Sequence, residues 1–153
     1  CLELVRRNIR LNQEVIHEGC DVSVLPLLWG SELRGPTVGP FDLVLGSDIA
    51  YHDGGRRSLA QTFHDLLSVG EGAPRIVLSH QHRTGQASLE GFLEIAGEMG
   101  IRATTIEVDR TPKLAKRVPR EEWEPCEVSI LDFSLDDDSW VGARYQADPR
   151  FVF

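Results

Sequence analysis

The stretch Phe41-Asp42-Leu43-Val44-Leu45-Gly46-Ser47-Asp48-Ile49-Ala50-Tyr51 decides how the rest of this chain is read. Its first half is a short apolar run, Leu43 to Leu45, entered through Asp42 and left through Gly46. Such a run is the pattern of a strand buried on both faces of a parallel sheet. Its second half puts a small residue and then a carboxylate where that strand ends. Ligands of open α/β sheets bind in the crevice outside the carboxyl ends of the strands. Asp48 and, three residues later, Tyr51 thus stand where chemistry is expected. Trp29-Gly30 closes another apolar run shortly upstream.

Working outward, the pattern alternates between helix and strand. Residues 2 to about 14 read as a helix, with Leu2, Val5 and Ile9 at helical spacing and an end near Glu18-Gly19. Asp21 to Leu28 reads as a strand broken by Pro26, and residues 31–40 as a loop rich in glycine and proline. After Gly54-Gly55, Arg57 to Val69 reads as a helix with an apolar stripe of Leu59, Phe63, Leu66 and Leu67. Arg75 to Ser79 is a strand around Ile76-Val77-Leu78, and Ser88 to Met99 a helix stopped by Gly100. Arg102 to Val108 and Glu127 to Phe133 read as the last two strands, separated by a polar stretch holding Pro112, Pro119 and Pro125. Asp136-Asp137-Asp138 suits a solvated loop, since adjacent carboxylates point in different directions, and the aromatic tail from Trp140 to Phe153 suits docking on the body as a short strand. The order of elements is that of the second half of a doubly wound α/β sheet with an antiparallel strand near its end.

Composition sets outer bounds. At 153 residues, with 41% hydrophobic and 26% charged, the chain is one globular domain or part of one. A net charge of −8 argues against a general nucleic-acid binder, which needs a basic footprint. Cys1, Cys20 and Cys126 are widely spaced, odd in number and in no metal-ligand pattern, as free thiols of a reducing compartment are. No apolar run approaches the ~20 residues that span a bilayer, and no secretory leader is visible. A cytosolic or nuclear location is the expectation, with no membrane partner. The sequence opens at Cys1 already inside an amphipathic pattern and without a capping residue, which suggests a chain truncated at its N-terminus.

The Leu28-Trp29-Gly30 step, the strand ending Gly46-Ser47-Asp48, and the Asp48-x-x-Tyr51 spacing resemble the seven-stranded S-adenosylmethionine-dependent methyltransferases. Within that group they are similar to the branch that methylates lysine side chains of proteins, marked by an Asp-x-x-Tyr motif after the fourth strand. The resemblance covers Leu2 to about Phe133. It implies a Rossmann-like methyltransferase sheet of which residues 1–153 hold only the C-terminal part, with a core of 2–133 and a tail of 134–153. The family's first strand with its Gly-rich loop, and the acidic residue that holds the ribose hydroxyls, have no counterpart here. The chain alone is therefore expected to show no measurable cofactor binding.

Methyl transfer to an amine requires a held cofactor, an aligned acceptor and a free lone pair on that acceptor. A lysine ammonium has an unperturbed pKa of about 10.4, so the site must desolvate it or accept its proton. Asp48 is the candidate carboxylate on the acceptor side, and Tyr51 a wall around the acceptor through ring and hydroxyl. Each also suits a plain role: Asp48 as a turn cap, Tyr51 as a partly buried loop aromatic. The resemblance assigns Trp29 and Ser47 to the cofactor, S-adenosyl-L-methionine; without it, Trp29 suits a core indole closing the loop. His80 and His82, at alternate positions of a strand, share one face. As a metal pair they lack a third ligand at any recognisable spacing, even counting His52, Asp53 and His64, so no metal is expected. The resemblance places them near the substrate face. Ser79-His80 has no Gly-x-Ser-x-Gly elbow and is no triad.

The leading expectation is a protein-lysine N-methyltransferase whose partner is a protein presenting a lysine. Two alternatives stand beside it. One is a methyltransferase of the same fold acting on histidine nitrogen or a small molecule. The other is an inactive partial domain with a binding or assembly role.

Overall fold

The computed structural model describes residues 2–35, 39, 41–69, 73–82, 89–106 and 127–135. Helix α1 runs Leu2–Leu11 and is followed by a 3-10 turn at Gln13–Val15. Strand β1 is Leu43–Ser47, and a 3-10 turn at Asp53–Gly55 leads into helix α2, Arg56–Leu67. Strand β2 is Arg75–His82, helix α3 Leu89–Glu98, strand β3 Ile101–Thr105 and strand β4 Glu127–Leu135. The four strands form one sheet in the order β1-β2-β4-β3. β1 and β2 are parallel, as a connection through a helix allows, and β4 lies antiparallel between β2 and β3. The expected antiparallel strand near the end of a doubly wound sheet is present.

One face of the sheet carries the core. α2 puts Leu59, Ala60, Phe63, Leu66 and Leu67 on one stripe, and α3 puts Leu89, Phe92 and Ala96 on another. Both stripes close over Ile76 and Leu78 of β2 and Leu131 and Phe133 of β4. Phe63, Phe92 and Phe133 meet edge to face, with ring centroids 5.2 to 5.9 Å apart. The register explains why these side chains meet: Ile76 pairs with Phe133 and Leu78 with Leu131, so the pleat sends all four to the same side. Gly100, at φ 73°, ends the α3 turn in the left-handed conformation that glycine adopts freely.

Three expectations are corrected. Asp21 to Leu28 forms no strand: those residues run as irregular chain, with Val22, Leu25, Leu27 and Leu28 exposed. A strand needs a neighbouring ladder for its amides, and none of the described strands bonds to this segment. The first helix stops at Leu11, before Glu18-Gly19, and buries none of its residues. β1 is not covered on both faces. Leu43 is 48% exposed and Leu45 66%, because α2 and α3 pack on the other side, where Val44 and Gly46 face the core. The polar stretch with Pro112, Pro119 and Pro125, the Asp136-Asp137-Asp138 run, the tail from Trp140, Cys1 and Cys126 lie outside the described residues; Cys20 is a free, exposed thiol.

Candidate functional site

The parallel pairing of β1 and β2 brings their carboxyl ends together, with Ser47 opposite Ser79. The Ser79 hydroxyl donates to the Ser47 hydroxyl at 3.0 Å on the exposed side of the sheet. One residue on, the chain turns sharply. Asp48 has φ 52° and is the only non-glycine with a positive φ among the described residues. That conformation costs an aspartate roughly 1–2 kcal/mol and persists only where its surroundings impose it. Here the Asp48 N–H donates to the Ser79 carbonyl at 2.7 Å, which ties the turn to β2.

The same two strand ends bring a histidine under the carboxylate. His80 Nδ1 lies 4.0 Å from Asp48 Oδ1, with the Asp48 side chain 27% exposed and that of His80 only 3%. His82 sits on the same face of β2, its ring edge-on to His80 at 5.2 Å between centroids. It is exposed and hydrogen-bonds through Nε2 to the Ser129 hydroxyl of β4 at 2.8 Å. The shared face expected of the two histidines is what the structure shows. Their environments differ: His82 is open to a ligand, whereas His80 is enclosed. Among the described residues no group of three or more His, Cys, Asp or Glu is placed to hold a metal ion.

The loop after Asp48 is pinned from inside. Ala50 is buried and Ile49 packs against the core, while Tyr51 remains 48% exposed. The Asp-x-x-Tyr spacing therefore comes from a loop whose intervening residues face inward and whose polar ends stay accessible.

Trp29 belongs to the neighbouring wall. The Gly30 N–H donates to the Thr62 hydroxyl at 2.9 Å, and that hydroxyl donates to the Ser58 carbonyl one turn earlier in α2. Gly30, at φ 75°, lies so close to Ser58 that a Cβ would meet it at 3.1 Å. This fastens the Trp29-Gly30 turn to the first half of α2. The Trp29 ring lies beside Gly55, on the 3-10 turn that follows Tyr51, and packs against the core. The indole thus has core contacts as well as a place next to the loop that carries the candidate carboxylate and phenol.

The structure unites Ser47, Asp48 and His80 directly, joins His82 to them through His80, and sets Trp29 and Tyr51 at the two ends of one short loop and turn. Ser79, Ser129 and Thr62 were not singled out as site residues from sequence. Ser79 had a usable signal, since Leu43 to Ser47 and Arg75 to Ser79 are two apolar runs of equal length that both end in serine. Ser129 and Thr62 had none, because their partners lie 47 and 32 residues away.

No curated protein matches the chain. A family model described as lysine methyltransferase matches residues 1–97, a span that holds Trp29, β1, the Asp48–Tyr51 loop, α2, β2 and nearly all of α3. Taken with a mixed four-stranded sheet that carries these residues at parallel strand ends, the match makes the assignment plain: the chain belongs to the lysine methyltransferase family and is a methyltransferase.

Proposed function

We propose that this protein is an S-adenosylmethionine-dependent protein-lysine N-methyltransferase, with Asp48 and Tyr51 on the acceptor side of the site. The observation that carries the reading is the turn at Asp48. A carboxylate held in a left-handed conformation at the carboxyl end of a parallel strand, with an exposed phenol three residues on, lies inside the family-matched span. Strain held at such a point is a common mark of a working site.

The residues on the cofactor side fit that group along one wall. Ser47 is small and exposed at the strand end, where main chain and ligand can approach closely, and Trp29 offers an apolar indole beside the following turn. When bound, the cofactor supplies an electrophilic methyl group on a sulfonium. The chain's own residues prepare the acceptor. The Asp48 carboxylate accepts a hydrogen bond from the incoming ammonium and, as the site desolvates it, takes the proton that must leave before the nitrogen lone pair can attack. Tyr51 limits water on one side and presents ring and hydroxyl to the amine. His82, exposed on the same side of β2, is available to the substrate chain. None of the described helices is long and apolar enough to cross a membrane.

The test is transfer of a labelled methyl group by the full-length protein to an array of peptides presenting lysine, arginine or histidine, alongside small-molecule amines. Label on lysine supports the reading, and Asp48→Asn should then lower kcat/KM by about 10²-fold, the size expected of one positioned acid–base group. Label confined to histidine or to small amines would replace it with the same fold acting on another nucleophile.

A further inference from the structure

We propose that His80 is a positioning residue that holds the Asp48 carboxylate in place from behind, and that it does not touch the substrate. The inference deepens the proposed function and rests on that reading for Asp48.

Two consecutive residues of β2 grip Asp48 at two levels. The Ser79 carbonyl accepts the Asp48 N–H at 2.7 Å and fixes its backbone; the His80 ring, next in sequence, faces its carboxylate with Nδ1 4.0 Å from Oδ1. The alternation of the strand makes this possible: a residue whose carbonyl lies in the plane of the sheet is followed by one whose side chain stands on the core face. At 3% exposure the His80 ring has almost no surface to offer a protein substrate, and it shares the core-facing side of β2 with Ile76 and Leu78. A buried imidazole needs polar company, and the Asp48 carboxylate faces its Nδ1 side at 4.0 Å, within ion-pair reach though longer than a hydrogen bond. The residue facing it from β2 is His82, edge-on at 5.2 Å, and its register partner on β4 is Ser129, which hydrogen-bonds His82. Asp48 is therefore the anionic group within contact distance of the ring among the described residues. A ring enclosed behind the buried oxygen, Oδ1, favours by charge the rotamer that leaves the other oxygen toward the open side, where the amine arrives.

Two measurements on the full-length protein test this. The first needs no activity: imidazole resonances are followed by NMR as pH is varied, in the native protein and in Asp48→Asn. A nearby carboxylate stabilises the imidazolium, so its removal should move the His80 midpoint down by about half a unit to one unit. An unmoved His80 midpoint overturns the proposal. The second compares His80→Gln with His80→Leu in methyl transfer. Gln keeps a donor at similar reach, whereas Leu fills the apolar volume without one. The expectation is a kcat loss of at least about tenfold in Leu, with KM nearly unchanged, and recovery of most of it in Gln. Equal activity of the two variants, or better activity in Leu, shows that His80 only fills space and overturns the proposal. Should the native protein label no lysine at all, the function reading fails, while the titration still decides whether the pair exists.

Discussion

The two faces of β1 have opposite fates within one five-residue strand. Val44 and Gly46 face the core, and a Cβ on Gly46 would meet Ile49 and Leu78 at 2.9 and 3.1 Å. Leu43 and Leu45, one residue away on either side, stand in the open. The difference continues across the sheet. On the covered face the register partners are Ile76, Leu78, Leu131 and Phe133, all buried; on the other they are Arg75, Val77, Ser79 and Ile130, none of them buried. The stability described by these residues therefore comes from one side of the sheet, whereas the candidate site sits at its end, where both faces meet.

That asymmetry makes the largest expected effect a core one. Phe63 touches both Phe92 and Phe133 edge to face and is buried between two helices and the sheet. Phe63→Ala should cost about 3–5 kcal/mol, read as a drop in the denaturant midpoint with an unchanged slope. A loss below about 1 kcal/mol would mean that the covered face is not the core, since even a shallow aromatic deletion exceeds that.

A smaller effect is expected where the covered face meets the site. Thr62 is buried and its hydroxyl both accepts from Gly30 and donates to Ser58. Thr62→Val keeps the shape but leaves the Gly30 N–H without its acceptor, and should cost about 1–3 kcal/mol. Intrinsic fluorescence should shift with it, because Trp29 is the residue released. A stability loss without any change in the tryptophan signal would separate Trp29 from this anchor and sharpen the division between wall and core.

What was legible in the sequence follows the same division. The helix stripes of Leu59, Phe63, Leu66 and Leu67, and of Leu89, Phe92, Leu93 and Ala96, are spaced for one covered face, and they are found there, Leu93 only partly buried. The runs Leu43–Leu45 and Ile76–Leu78 announce strands, and Asp48 after the first marks a candidate site at a strand end. That β1 is covered on one side only was not legible, because an apolar run states what a strand tolerates, not what covers it. For the same reason Asp21 to Leu28 reads as a strand by composition but has no ladder among the described residues. The site shows a parallel limit. Asp48 and Tyr51 are local and could be named from spacing, whereas the enclosure of His80 depends on register with Leu131 and Ser129, about fifty residues on.

The smallest expected effect probes the open face. Leu45→Asn replaces a 66% exposed side chain whose neighbour in register, Val77, is itself only partly covered. A residue already in water has little transfer energy to lose, so the change should stay within about 0.5 kcal/mol. An apolar surface dye should meanwhile bind less tightly, because one of the larger exposed aliphatic side chains of the face is gone. The two readouts must be taken together. A loss above about 1 kcal/mol, about what a well-buried leucine begins to contribute, would show that something covers Leu45 in solution. The contrast between the two faces of β1 would then disappear, and Leu43 would be the next position to test.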